Sequence, residues 1–278
     1  MGRLEDWHTP SARALLAFAV ACSLMSALAA QGTNDVAVPG GSFTMGTSES
    51  SVDALMARFS SKRRELFASE LPAHAVSVRA FFMDRTEVTN AAFKTFVDVH
   101  PEWSRERLTA DRHNGEYLKT WIGGSYPAGE SDLPVTFITW HAATAYCESA
   151  GKRLPTEAEW EFAAGRGLSA EFPWGEDAPD ATKANWSGAK IGKPSPVGSF
   201  PPAHGLYDMA GNVWEFTSDA WKDSYLDTAK VSSGRRVIRG GSFGGSPVNL
   251  RVRYRDSHPE PGAGPHVGFR CARALAPR

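Results

Sequence analysis

The sequence predicts an α+β fold with few regular elements and long irregular connections. Two observations carry that expectation. Three stretches place apolar residues at helical spacing behind capping residues, while others are extended or alternate with period two. Between them the 278 residues hold 26 Gly, 18 Pro and nine Trp, a composition of turns and loops rather than long helices. An apolar content of 42% suffices for a buried core, and the length suits one large domain or two small ones. The net charge of -1 gives no reason to expect nucleic acid or an anionic membrane as partner.

In chain order, residues 1–29 read as a secretory signal peptide. Arg3 and Arg13 precede the apolar run Ala14 to Met25, which ends in the small residues Ala27-Leu28-Ala29-Ala30. The run is too short to span a bilayer comfortably, so no membrane insertion is expected after cleavage. Glu5 and Asp6 dilute the basic start, and Cys22 behind Ala21 leaves a lipoprotein alternative open. The expected location is exported, periplasmic or extracellular.

The polar stretch Ser48 to Ser69 suits a surface loop or short helix, and Ala75 to Met83 an extended segment. Thr89-Asn90 starts a helix over Ala91 to Val99, with Phe93, Phe96 and Val97 on one face. Pro101 to Asp132 is irregular; its Trp103, Trp121 and Tyr126 are either packing residues or ligand contacts. Thr139 starts a second helix, Trp140 to Ala150, stopped by Gly151. Thr156 and Glu159 form a capping box for a third, Glu157 to Ala164, stopped by Gly165. Val237 to Phe243 and the alternating run Arg251 to Arg255 read as strands.

Eight blocks stand in order across residues 36 to 273: VPGGSFTMGT from Val38, FFMDRTEVTNAAF from Phe81, LPVTFITWHAATAYC from Leu133, GKRLPTEAEWEFAA from Gly151, Asn185-Trp186, GLYDMAGNVWEF from Gly205, RVIRGGSF from Arg236 and GFRC from Gly268. With these the chain resembles the formylglycine-generating enzyme, or sulfatase-modifying factor, family. The resemblance implies an irregular single domain over residues 30–278, related to the C-type lectin fold. It also implies a disulfide between Cys147 and Cys271, against the alternative of two buried thiols that never meet. Catalytic members carry two copper-binding cysteines at the third and eighth residues after the serine of the GGS block; here those positions are Gly245 and Leu250. Copper chemistry needs soft thiolates, so copper-dependent formylglycine synthesis is not expected.

Calcium is the cofactor the resemblance implies. One family site matches Asp208, Gly211, Val213 and Glu215, whose hard oxygen donors suit Ca2+; the alternative is that Asp208 and Glu215 are turn and surface carboxylates. A second, weaker site matches Asn185 and Trp186 but lacks its downstream aspartate. Ser242 matches a serine beside the catalytic cysteines, and packing competes there with a pocket role. Between Arg235 and Arg273 stand eight Arg against Asp256 and Glu260. On a strand Arg251, Arg253 and Arg255 would share a face able to grip a carboxylate or phosphate, or would pair with acids across the domain. Asp256, His258 and His266 are the candidates for a replacement metal centre, though their spacing matches no known motif.

Two functions follow. The first is an exported, calcium-stabilised binding or maturation partner that recognises a peptide or small anionic molecule through the rim Ser242 to Arg255. The other is a periplasmic oxidoreductase of different chemistry, as in the maturation of secreted natural products such as siderophores, which would use Tyr254, Asp256 and His258. Sugar binding through calcium is a third possibility, and it requires an open coordination position.

Overall fold

The computed structural model describes residues 34–226 and 230–275, and the expected leader with Cys22 lies outside them. Five helices and nine strands make up the regular structure of the described residues. The strands are β1 (Asp35–Val38), β2 (Gly41–Met45), β3 (His74–Val78), β4 (Phe81–Asp84), β5 (Trp214–Lys222), β6 (Val231–Arg239), β7 (Arg255–Pro259), β8 (Val267–Gly268) and β9 (Ala272–Ala274). The helices are α1 (Val52–Arg58), α2 (Glu65–Ala68), α3 (Asn90–Val99), α4 (Trp140–Ser149) and α5 (Glu157–Gly165). No helix among the described residues is long and apolar enough to cross a membrane.

Local chemistry explains the helices. Thr89 accepts a hydrogen bond from Ala92 N and caps α3, which buries Phe93, Phe96 and Val97. Thr139 caps α4 in the same way. Thr156 and Glu159 complete a reciprocal capping box on α5, which ends one residue later than expected, with Arg166 rather than a glycine in the left-handed position. The polar stretch 48–69 forms α1 and α2, which bury Val52, Leu55 and Phe67 in a satellite cluster.

Three small sheets carry the chain between these helices. One has the order β1-β4-β9, a second pairs β2 with β3, and the third runs β7-β6-β5-β8. In the third, Glu215 of β5 stands opposite Arg239 of β6 and opposite Gly268 of the parallel strand β8. The expected strand Val237 to Phe243 is shifted, because β6 stops at Arg239 where Gly240 (φ 94°) and Gly241 (φ 75°) turn left-handed. A Cβ on Gly241 would sit 2.9 Å from Asn249 O, so glycine allows that turn to close against the following loop.

The run Arg251 to Arg255 departs further from expectation. Pro247–Leu250 form a 3-10 turn, Arg251 to Tyr254 form another turn, and β7 begins only at Arg255. Arg251 and Arg255 point inward to acids, so the three arginines do not share a solvent face.

One core cluster joins α3, α4 and the C-terminal segment through Phe93, Phe96, Ile138 and Phe269; another gathers Phe43, Phe81 and Met83 around Trp160 of α5. Cys147 of α4 is bonded to Cys271, with 5.6 Å between their Cα atoms, and both are fully buried in the first cluster. Trp121 and Tyr126 pack on that cluster as well.

Candidate functional site

The centre of the molecule is a set of ion pairs out of contact with solvent. Arg270 donates two parallel hydrogen bonds to Glu215, each 2.7 Å, and Trp160 Nε1 donates to the same carboxylate at 2.8 Å. The remaining Arg270 donors satisfy the carbonyls of Asp84, Arg85 and Tyr207. Arg239 pairs with Glu161, and Arg251 pairs with Glu70 and Glu171. Guanidinium and carboxylate match as planar two-pronged partners, so each buried guanidinium has a carboxylate against it, although Arg239 Nε is left without a hydrogen-bond partner.

The segment Tyr207 to Glu215 holds the expected calcium residues Asp208, Gly211, Val213 and Glu215. Asp208, Gly211 and Asn212 all adopt left-handed backbone conformations, and a Cβ on Gly211 would lie 2.2 Å from Asn185 O. Asn212 N donates to that same carbonyl, which ties Asn185 to the turn. Glu215 already accepts from Arg270 and Trp160. Asp208 instead accepts from Gly198 N at 2.7 Å, and its carboxyl neighbours that of Glu87. Sequence reasoning missed Glu87 although it sits in the block from Phe81; its Oε1 accepts from Asn212 Nδ2 at 3.1 Å. Burial pushes the Glu87 carboxyl well above the usual carboxylate range, and the neighbouring Asp208 adds to the rise. Asp208 is raised too, by burial first, despite the hydrogen bond from Gly198 N.

The oxygens here are of the kind a hard cation takes, but Glu215 is engaged by Arg270 and Trp160, and among the described residues the three acids do not converge on one point. Glu87 Oε2 and Asn185 Oδ1 are buried with no hydrogen-bond partner. Glu87, Asp208 and Glu215 share the single guanidinium of Arg270, so two negative charges remain unless protons or a cation balance them. Oxygen-only ligands with more than one carboxylate suit Ca2+. Trp186 turns its Nε1 to Asp180 O instead.

The two positions where the family carries copper cysteines are closed to metal. Leu250 is fully buried in an apolar cluster with Phe172 and Ala210, and Gly245, also buried, donates its N–H to Ser242 O at 2.7 Å. Ser242 is buried beside them, whereas His266 is exposed and lies tilted against Phe243 with ring centroids 4.4 Å apart.

The other sequence candidates do not converge. Tyr254 is buried against Trp214, its hydroxyl pKa pushed up to about 12 mainly by burial; Asp256 is exposed; and His258 packs edge-on to Phe216. Among the described residues no three His, Cys, Asp or Glu side chains cluster as a metal site. Arg253 stands apart from its neighbours. Arg251 and Arg255 have carboxylate partners, whereas Arg253 has none among the described residues and donates only to Ser169 O at 3.0 Å. It lines an open cavity of about 380 Å³ with Thr47, Ser48, Ser51, Ser169 and Glu171, the last already paired with Arg251.

Known proteins resemble the chain along nearly its whole length. The Sulfatase-modifying factor enzyme 1-like domain matches residues 22–275. Formylglycine-generating enzyme of Mus musculus is 32% identical over 86% of this chain and 75% of its own length. Inactive C-alpha-formylglycine-generating enzyme 2 of Mus musculus is 33% identical over 93% of this chain and 91% of its own. Among solved structures, PvdO from Pseudomonas aeruginosa superposes with a TM-score of 0.66 at 28% identity, covering 87% of this chain and 94% of that one.

Proposed function

The chain belongs to the sulfatase-modifying factor family, and from that membership we propose that it is an exported, calcium-stabilised binding or maturation partner that makes no formylglycine. The observation that carries this reading is the site of the missing cysteines. Gly245 has no side chain, Leu250 is sealed under Phe172, and Cys147 and Cys271 are joined to each other. Copper-thiolate chemistry needs two free sulfurs converging on one metal. A relative similar over nine-tenths of the chain carries the name inactive, which agrees with a role outside catalysis.

Calcium would be held by Asp208, the carbonyls of Gly211 and Val213, and Glu215, with Glu87 as an added carboxylate. The unbalanced charge and the partnerless Glu87 Oε2 support it. Bound there, the ion would brace the turn beneath Ser242. Recognition belongs to Arg253, the rim arginine left free for a carboxylate or phosphate on a peptide or small molecule. Tyr254 is packed on Trp214 and His258 on Phe216, while Asp256 is exposed, and that weighs against the enzymatic alternative, which would need the three in one cleft.

The test incubates copper-loaded protein with a sulfatase-type cysteine peptide and with an acidic peptide. No aldehyde-forming mass loss should appear. Saturable binding of the acidic peptide should weaken by about tenfold in Arg253→Ala, roughly 1.4 kcal/mol. Turnover of the cysteine peptide, or acidic-peptide binding indifferent to Arg253→Ala, would overturn the reading.

A further inference from the structure

A second cavity is lined by residues that the proposed function does not use. It has a volume of about 390 Å³ and runs along α4, where Trp140, His141, Thr144, Ala145 and Glu148 line it. The opposite wall comes from the irregular stretch 101–132, which matches none of the family blocks, and includes Trp103, Asp111 and Arg112. A helix from one of the family blocks thus forms the floor, and a segment outside those blocks forms the wall. That division is expected of a site whose specificity is set by a loop on a fixed scaffold.

Its chemistry is mixed in a specific way. Two half-buried indoles face it, each steadied by a guanidinium: Arg236 lies 3.8 Å from the Trp140 ring centroid and Arg112 lies 5.5 Å from that of Trp103. Trp140 is further fixed by its Nε1 hydrogen bond to Thr217 O at 2.9 Å. Asp111 and Glu148 are exposed and enter no ion pair among the described residues, while Arg236 pairs with Glu260. Burial lowers the His141 pKa, so near neutral pH its ring offers one donor and one acceptor. Thr144 Oγ1 is buried without a hydrogen-bond partner, although a helical threonine ordinarily satisfies its hydroxyl on the preceding turn.

Charges of both signs line the groove, the Arg112 guanidinium beside the Asp111 and Glu148 carboxylates, while Arg236 is already paired with Glu260, so no single sign of charge sets its ligand. These features suit a neutral ligand with apolar C–H faces for the indoles and many hydroxyls for the acceptors and the stranded Thr144. We propose that this groove binds a neutral saccharide, with Trp103 as the stacking platform and Thr144, Asp111 and Glu148 as its hydrogen-bonding partners. The volume lies in the range of small-ligand pockets, roughly 300–1,000 Å³, with room for a mono- or disaccharide. No metal takes part.

The experiment titrates the full chain, with calcium present, against glucose, galactose, N-acetylglucosamine, maltose, cellobiose and chitobiose. Tryptophan fluorescence and saturation-transfer NMR report binding. At least one sugar should bind saturably below about 10 mM, with Trp103→Ala and Thr144→Val each weakening it by about tenfold. Thr144→Val conserves shape, so it keeps the test sharp should Trp103→Ala fold poorly, and unchanged thermal melts confirm an intact scaffold. Arg253→Ala should leave sugar binding intact, which separates this groove from the anion cavity. The inference falls if no sugar of the panel binds, or if a sugar binds equally well to the wild type and to Thr144→Val and Trp103→Ala.

Discussion

Arg255 closes on Glu157 through two hydrogen bonds, Nε to Oε1 at 2.7 Å and Nη2 to Oε2 at 2.9 Å, with both side chains almost wholly buried. The pair ties the first residue of β7 to the first residue of α5, and Tyr225 OH donates to the same Glu157 oxygen at 3.0 Å. Arg251 makes the equivalent connection from the rim to Glu70 and Glu171. The basic run that suggested a binding face is therefore mostly the clamp between the last quarter of the chain and the rest.

Removing one side of this clamp should be costly. Glu157→Gln leaves the Arg255 guanidinium buried with a neutral partner, and a loss of about 3–5 kcal/mol is expected in urea unfolding. Burial alone would raise the Glu157 pKa, but Arg255 and Arg239 outweigh it and hold the group below its ordinary 4.5. A depressed carboxyl contributes stability that is present above 4.5 and lost as the pH falls through the lower folded value. Wild type should lose stability in that acid window, and the difference between wild type and Glu157→Gln should shrink with it. A gap that stayed constant down to pH 2 would show that Glu157 contributes no charge to the clamp.

The disulfide gives an independent prediction. Cys147 and Cys271 are 124 residues apart, and closing so long a loop restricts the unfolded chain by roughly 4–5 kcal/mol in the chain-entropy model. The double substitution to Ala should lower the melting temperature while far-ultraviolet circular dichroism stays native. Intact protein should not react with iodoacetamide at either position until it has been both reduced and unfolded, because neither sulfur is exposed.

Calcium should be visible in melting experiments. At a free concentration about 100 times its dissociation constant, an ion that binds only the native state adds about 2.7 kcal/mol. Melts with Ca2+ and with chelator should differ by that order, and Glu87→Gln should reduce the difference. Glu87→Gln is a cleaner probe than Glu215→Ala, which would strand Arg270 whether or not calcium binds. Superimposable melts, checked by elemental analysis for residual metal, would remove calcium from the account.

The helices were legible because their determinants are local. Thr89, Thr139 and the Thr156 and Glu159 pair each act within one turn, and the structure keeps all three caps. The Arg251 to Arg255 run was not, because its partners are remote: Glu171 is 80 residues away and Glu70 is 181. Period two reads as a strand only when side chains settle by solvent contact, and here buried acids set their directions instead. The same limit applies to Glu215, whose segment announces a turn of oxygen ligands while the carboxylate is claimed by Arg270, 55 residues on. Glu87 carried no comparable signal: its block also holds Asp84, Arg85, Thr86, Thr89 and Asn90, so nothing local marks that one acid as the buried one.

Restoring sulfur at the family positions tests how far the site has drifted. Were the loss of chemistry due to two side chains alone, the double variant Gly245→Cys, Leu250→Cys would gain copper and turnover. The geometry argues otherwise. A Cβ on Gly245 would lie 3.0 Å from Ser242 O and 3.2 Å from Ser242 N, so the loop must yield to admit one. Leu250 points into the cluster with Phe172 and Ala210, where a shorter side chain leaves a void, at a cost of about 2–4 kcal/mol. The double variant should melt earlier, bind Cu(I) no more tightly than wild type in competition with a chelator, and leave the cysteine peptide unchanged. Tight copper binding with aldehyde formation would mean instead that the turn at 247–250 can swing Leu250 outward, and that this fold has kept its catalytic cradle and lost only the sulfur.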